Sequence, residues 1–237
     1  KEIDEAQLNK KVDIAVHSLK DLPTELPKGL YLAGVLKRED PNDSVFSLKD
    51  INLKKSKEKL VVGTSSIRRK VQLQKLNSRI QVKGIRGNIG TRIRKVNEGK
   101  YDCIILAVAG LKRLKIKNNY KKIDIRNIVP SAGQGVIALV IRKNKMIENF
   151  IKELNHYRTF VESDCERLFL KSLDGSCETP IGAIAKLVKK ENKDYLFFRY
   201  MASSLDGKRM FKGNTFFRLS RYKKMSLDLG KKIKKLI

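Results

Sequence analysis

Short apolar runs of the β kind alternate along this chain with stretches of helical spacing, and the switches between the two periods mark out its elements. Residues 1–10 read as the end of a helix, VDIAVH (12–17) as a short buried strand and GLYLAGVL (29–36) as another. Between them SLKDLPTELP offers Ser18 or Asp21 as the cap of a helical turn that Pro23 stops. The polar stretch KREDPNDS (37–44) breaks the pattern and is where the chain can leave one domain for another. Beyond it LVVGTS (60–65), RIQVKG (79–84) and DCIILAVAG (102–110) read as strands. Helical spacing fills SIRRKVQLQKLN (66–77), a loop and helix GNIGTRIRKVNEGK (87–100), and the turn LKRL (111–114). VIALVIR (136–142) is a strand, IENFIKELNH (147–156) a helix and TFVESDCERLFLKSL (159–173) a longer one. Three strand-like runs near 181–188, 195–203 and 209–218 precede a last helix near 220–235. Strands alternating with helices predict α/β sheets covered on both faces, and the tail predicts a small α+β unit. The reading is two interleaved α/β units with a C-terminal α+β unit.

Composition narrows the class. Hydrophobic residues make up 41% of the 237 positions, enough for a packed core and too many for a disordered tail. No apolar run approaches the roughly 18 residues of a membrane span, and no signal peptide is visible. The chain starts without Met, so upstream sequence is expected. Three cysteines without CxxC spacing argue against a disulfide framework and a zinc site and for a reducing compartment. Cys103 reads as a buried strand residue and Cys165 as a structural helix residue. Cys177, in the Gly/Pro loop LDGSCETPIG, is the one thiol placed for chemistry.

The net charge of +28 calls for an anionic partner or a lysine-coated surface. Many lysines fall in solvated runs such as NLKKSKEK and GKKIKKLI, but Arg68, Arg69, Arg86 and Arg92 stand beside glycines and hydroxyls at element ends. Arginine suits bidentate capture of carboxylate or phosphate. GTSSIRRK (63–70) is a strand–turn–helix junction whose helix N-terminus attracts anions, with Thr64, Ser65 and Ser66 adding hydroxyls. GIRGNIGTR (84–92) repeats the idea without being a Walker loop or a dinucleotide fingerprint. AVHSLKDLP (15–23) sets His17, Ser18, Lys20 and Asp21 at the end of a buried strand, where α/β sites collect. By spacing alone Asp21 is a helix cap, His17 a hydrogen-bonded core residue and His156 structural. Hydrolase and metal chemistry find no pattern. A nucleic-acid-binding reading would explain the charge, but there is no Trp, aromatics are 7%, and no helix shows a basic recognition face with aromatic neighbours.

VDIAVHSLKDLP, GTSSIRR, GIRGNIGTR, YDCIILAVAGLKRL, PSAGQG and LDGSCETPIGA, in that order and covering essentially the whole chain, resemble the porphobilinogen deaminase (hydroxymethylbilane synthase) family. The resemblance implies an α/β fold of two interleaved periplasmic-binding-protein-like domains plus a small C-terminal α+β domain. Domain 1 would take residues 1–36 and 136–156, domain 2 residues 37–135, and the C-terminal domain residues 157–237. It implies an enzyme condensing four porphobilinogen molecules, with loss of ammonia, into hydroxymethylbilane for tetrapyrrole and haem biosynthesis. A dipyrromethane cofactor would be bound by a thioether to Cys177. Asp21, with Lys20 beside it, would assist ammonia loss and stabilise the cationic azafulvene. Arg68, Arg69, Arg86 and Arg92, supported by Arg113, would bind acetate and propionate groups; Ser18, Thr64 and Ser66 would add hydrogen bonds, with Gln134 near the interdomain crossing. Family members begin with a β–α segment and a flexible loop that this chain lacks. The resemblance further implies a monomer with a small-molecule partner, no nucleic acid and no membrane, in the cytoplasm or a plastid (apicoplast) stroma. The lysine- and asparagine-rich filler is like that of an apicomplexan parasite. The alternative is a non-catalytic two-lobed anion-binding module, which would give Cys177 and Asp21 no role.

Overall fold

The computed structural model describes residues 2–175 and 179–237, so the expectation for Cys177 lies outside the described residues. The first lobe opens with α1 (Glu2–Leu8), β1 (Ile14–Ser18) and β2 (Leu30–Val35). The chain then crosses into β3 (Asp43–Phe46), β4 (Leu60–Gly63), α2 (Ile67–Leu76), β5 (Ile80–Lys83), α3 (Ile89–Asn97), β6 (Cys103–Ala107), α4 (Val108–Arg113) and β7 (Tyr120–Lys122). It returns as β8 (Ile137–Arg142) and α5 (Lys145–Leu154). The rest is α6 (Tyr157–Ser172), β9 (Ile181–Lys190), β10 (Lys193–Ser203), β11 (Met210–Arg218) and α7 (Tyr222–Lys234).

Three sheets result, in the orders β1-β8-β2, β5-β4-β6-β3-β7 and β11-β10-β9. In the first, β8 runs antiparallel to both neighbours, so a strand from late in the chain is the centre of the early lobe. In the second, β4 lies parallel to β5 and β6, joined through α2 and α3, while β3 is antiparallel to β6. Ile104 and Ile105 on β6 face opposite ways and are both buried, because helices and loops cover the sheet on each side. The third sheet is an antiparallel meander packed on one face against α6 and α7 around Phe169, Leu196, Phe198 and Phe217.

The polar break at 37–44 hides a strand: β3 starts at Asp43, with Asp43 and Ser44 both fully buried. Strand β7 is likewise absent from the hydrophobic pattern, being three residues long and mostly exposed. Helix α4 takes Val108–Gly110, which the sequence assigns to a strand; Val108, Ala109 and Leu111 use helical spacing to fill the core instead. Ser18 stands at the cap position of the Leu19–Asp21 turn without a side-chain cap bond, and Asp21 lies inside the turn.

Two crossovers, 36–42 and 130–136, run side by side between the lobes. Leu36 N donates to Ile137 O and Glu39 N to Gly135 O. Gly135 has φ +83°, and a Cβ there would sit 2.4 Å from Glu39 O, so close strand approach demands glycine. The C-terminal domain clasps the same junction. Glu166, fully buried on α6, accepts from Arg38 Nη1 (2.6 Å), Arg38 Nη2 (3.1 Å), Gly133 N (2.8 Å) and Ala185 N (2.8 Å). Val71, Val129, Ile184 and Met201 pack the second lobe against the meander.

Candidate functional site

At the junction of the two lobes lies a cleft of about 240 Å3, lined by Ser18, Lys20, Arg69, Arg92, Arg113 and Gln134 together with Gly87, Asn88 and Gly110. Four of these side chains are cations and none of the lining residues is acidic. Larger cavities exist, but those of about 470 and 590 Å3 mix acids with bases and so select no ligand charge. The cationic cleft is where an anion gains most.

Each cation arrives by a different route. Lys20 follows β1, whose end is pinned by Leu19 N donating to Val136 O at 2.9 Å. Burial lowers the pKa of its ammonium and repulsion from Arg69 lowers it further, against the pull of Asp21 and Asp43. Arg92 stands on the first turns of α3, where Asn88 caps the helix by accepting from Thr91 N at 2.9 Å. Its Nε donates to Gly87 O at 2.7 Å, and burial and Arg69 both lower its pKa. Gly87 has φ +109°, which swings this loop toward the cleft. Arg113 ends α4 and is exposed. Among the described residues, no hydrogen bond or ion pair engages Lys20, Arg113 or the terminal guanidinium nitrogens of Arg92.

Arg69 is held from behind. Its Nη2 meets Asp43 Oδ1 at 2.7 Å, its Nε meets the same oxygen at 3.2 Å, and Nη1 donates to Ile105 O at 2.9 Å. Arg68 Nη2 meets Asp43 Oδ2 at 2.9 Å, and Gln134 Nε2 donates to Oδ1 at 2.9 Å. Burial alone would push the Asp43 carboxyl up; the Arg68 and Arg69 guanidiniums outweigh it and hold the group well below the usual carboxylate range. Asp43 is thus the anion that fixes the cleft wall. Sequence pattern does not single it out, because it stands in a polar, proline-containing run.

Several expected ligand groups are engaged internally instead. Arg68 points away from the cleft, donating to Val129 O at 2.6 Å and Ser131 Oγ at 3.0 Å. Thr64 Oγ1 accepts from Ser66 N, and Ser66 Oγ caps α2 by accepting from Arg69 N. Ser65 bonds both N and O of Ile85. The hydroxyls at this helix start therefore build the turn that projects Arg69. Arg86 and Asp21 are exposed and outside the lining, Asp21 directly following Lys20. His17 differs from expectation: its Nε2 is buried without a hydrogen-bond partner. His156 is structural, capping α6 by accepting from Thr159 N at 3.2 Å. Burial pushes the Cys103 thiol up to about 12 and raises Cys165 too, so neither is a ready nucleophile.

Helix α6 is tied to the segment that follows Asp21. Arg167 Nη2 donates to Pro23 O at 2.6 Å, and Lys171 Nζ lies 3.0 Å from Glu25. No helix among the described residues is long and apolar enough to cross a membrane, and none of their His, Cys, Asp and Glu side chains cluster as a metal site.

Residues 1–148 match the family described as "Porphobilinogen deaminase, dipyromethane cofactor binding domain", and residues 160–237 match "Porphobilinogen deaminase, C-terminal domain". The porphobilinogen deaminase of Rickettsia canadensis (strain McKiel) is 44% identical over 196 residues, covering 81% of this chain and 65% of that protein. That of a Nitratiruptor species is 39% identical, covering 97% and 74%. The probable porphobilinogen deaminase of Methanocaldococcus jannaschii is 38% identical, covering 98% and 79%. The chain thus spans 65 to 79% of the length of these relatives, which lend an apicomplexan source no support. A substrate binding domain of a putative amino acid ABC transporter from Streptococcus pneumoniae is 12% identical, covering 63% of this chain and 67% of that one at TM-score 0.43; at that score the fold rests on the strand orders above. Two adjoining domain matches and relatives near 40% identity along most of its length place the chain in the porphobilinogen deaminase family.

Proposed function

We propose that this chain joins four porphobilinogen molecules head to tail, releasing ammonia each time, to give hydroxymethylbilane in tetrapyrrole and haem biosynthesis. The observation that carries the reading is the acid-free cleft lined by Lys20, Arg69, Arg92 and Arg113 in a member of this family. A dipyrromethane group fits these residues: each pyrrole brings two carboxylates, and the cleft offers Lys20, Arg113 and the terminal nitrogens of Arg92 as unengaged donors beside the fixed charge of Arg69. Held through Cys177, it supplies the primer from which the product chain grows. Domain limits of 1–36 with 136–156, 37–135 and 157–237 belong to the same reading.

Lys20, Arg92 and Arg113 bind carboxylates directly, and Arg86 guides them from the exposed edge. Arg69, fixed by Asp43, supplies positive potential that needs no rearrangement when the ligand arrives. Ser18 and Gln134 add hydrogen bonds, while Thr64, Ser66 and Arg68 keep Arg69 in place. Asp21 offers its exposed carboxylate to the positive charge that develops on the substrate as ammonia departs. The partner is a small molecule, and the chemistry needs neither nucleic acid nor membrane. A monomer in the cytoplasm or a plastid stroma goes with it.

The test is Asp21→Asn in the full-length protein. Ammonia release and product formation should fall by about 100-fold or more, while the intact mass still shows pyrrole units on Cys177. Ordinary turnover by this variant would overturn the reading. A non-catalytic anion-binding module gives Asp21 no task and releases no ammonia, so the same assay separates the two.

A further inference from the structure

The strand register of the C-terminal meander gathers on its outer face residues that are scattered in the sequence. Leu196, Phe198, Tyr200 and Ala202 of β10 point into the core, so Tyr195, Phe197 and Arg199 point outward until Met201 meets the second lobe. The cross-strand rows are Val188–Tyr195–Arg218, Lys186–Phe197–Phe216 and Ile184–Arg199–Asn214, with Lys190 opposite Lys193 at one end and Lys212 opposite Met201 at the other. Three aromatic rings and six cations therefore share a face to which these strands contribute no acid. Phe216 is 38% exposed, its ring centroid 5.3 Å from that of Phe197. Lys190 Nζ rests 3.9 Å above the Phe216 ring, an exposed cation–π contact weak enough to be displaced. Arg199 Nε is buried without a hydrogen-bond partner and Lys212 Nζ donates to Asn127 O at 2.7 Å, so these two lean on the second lobe and Lys186, Lys190, Lys193 and Arg218 are the cations open to a ligand. Nearby acids are already paired: Asp124 with Arg126 and Glu162 with Arg158.

At the β9 edge the face continues into a cavity of about 590 Å3, walled by Phe197, Lys186, Ile184, Ile125 and Pro41 with Asn42. Its wall also carries Arg38, Glu39, Asp40, Arg158 and Glu162, so it is a mixed-charge pocket and the aromatic rows themselves are the candidate contact surface. None of these residues lines the cationic cleft.

We propose that the outer face of the β9–β10–β11 sheet binds single-stranded nucleic acid. Exposed rings on a sheet are stacking platforms for unpaired bases, and cations between them neutralise the phosphates. Tyr195 and Phe197, two residues apart on one strand, stand about 6.6 Å apart, a step that successive bases of an unstacked strand span. A purely electrostatic surface would not need the aromatics; an apolar docking face would not carry six cations. The expectation of no nucleic-acid partner rested on the absence of Trp, the low aromatic content and the lack of a basic recognition helix with aromatic neighbours, whereas the surface here is a sheet whose register gathers three of the few aromatics on one face.

Because the chain has no Trp, Phe216→Trp introduces a single reporter. Titration of that full-chain variant with a single-stranded uridine-rich RNA should quench its fluorescence. By anisotropy the labelled RNA should bind the parent chain more tightly than its duplex or heparin does. Phe216→Ala should weaken single-strand binding by about tenfold, with an unchanged melting temperature showing that the sheet is intact. Arg218→Gln should flatten the salt dependence by about 0.7 in log–log slope. Equal binding of duplex, heparin and single strand, indifferent to Phe216→Ala, would overturn the proposal in favour of a general polycation. A blue-shifted reporter with phosphatidylserine vesicles and no response to RNA would overturn it in favour of a membrane surface.

Discussion

Burial and the Arg69 guanidinium both disfavour a proton on Lys20, while Asp21 and Asp43 favour one. With its pKa lowered in the folded chain, Lys20 binds fewer protons than an unfolded lysine over the window between its folded and ordinary values. Stability therefore rises with pH through that window, because the penalty of the buried charge is relieved. Ligand binding has the opposite sign. A carboxylate beside Lys20 restores the proton, so binding at a pH inside the window takes protons up, and affinity falls as pH rises across it. Calorimetric titration with porphobilinogen in two alkaline buffers of different ionisation enthalpy should give different observed heats. Lys20→Arg, which cannot lose its proton, should make the heats converge. Equal heats with Lys20 intact would mean that Lys20 is not at the ligand.

Strand β3 joins a local feature to the site, and it is the element that the hydrophobic pattern conceals. An acid and a serine open it, at positions that read as linker, yet both are fully buried, the acid because two arginines in the first turn of α2 supply the counter-charge. Removing the charge with Asp43→Asn would leave Arg68 and Arg69 facing each other unneutralised in the core, a change expected to cost about 3–5 kcal/mol. Urea unfolding should show that loss, and anion affinity in the cleft should fall with it as Arg69 loses its fixed geometry. A variant of unchanged stability would show that the two arginines find other partners. The longer elements were legible: β1, β2, β4, α2, α6 and the meander follow from periodicity and from glycine and proline stops. Of the residues lining the cleft, Lys20, Arg69 and Arg92 were legible as basic residues at element ends, and Arg113 only through the family resemblance. What pattern could not reveal was direction. Arg68 and Arg69 are neighbours in sequence, 100° apart on a helix, so one faces Val129 and Ser131 while the other reaches the cleft wall.

At the scale of the molecule, one carboxylate ties three bodies together. Glu166 belongs to α6 of the C-terminal domain, accepts both Arg38 terminal nitrogens and Gly133 N from the two crossovers, and takes Ala185 N from β9. Arg38 continues the chain of contacts by donating Nε to Gln134 O at 3.0 Å, and Gln134 Nε2 reaches Asp43. The domain carrying Cys177 is thereby registered against the wall that holds Arg69, through groups with no freedom to drift. Glu166→Gln keeps the volume and some of the backbone bonds but leaves the Arg38 guanidinium buried without its counter-charge. The expected loss is about 3–5 kcal/mol, read as an earlier urea midpoint. Because the pair lies between domains, amide exchange should also rise first at Arg38, Gly133 and Ala185, before the sheet interiors open. Adding Arg38→Met to Glu166→Gln removes the orphaned charge and should recover much of the loss, since an apolar replacement of both partners is often neutral or better. If the double variant is as unstable as the single one, the contribution of Glu166 lies in its bonds to Gly133 N and Ala185 N rather than in the ion pair. If neither variant moves the midpoint, the apolar contact of Val71, Val129, Ile184 and Met201 holds the C-terminal domain in place without it.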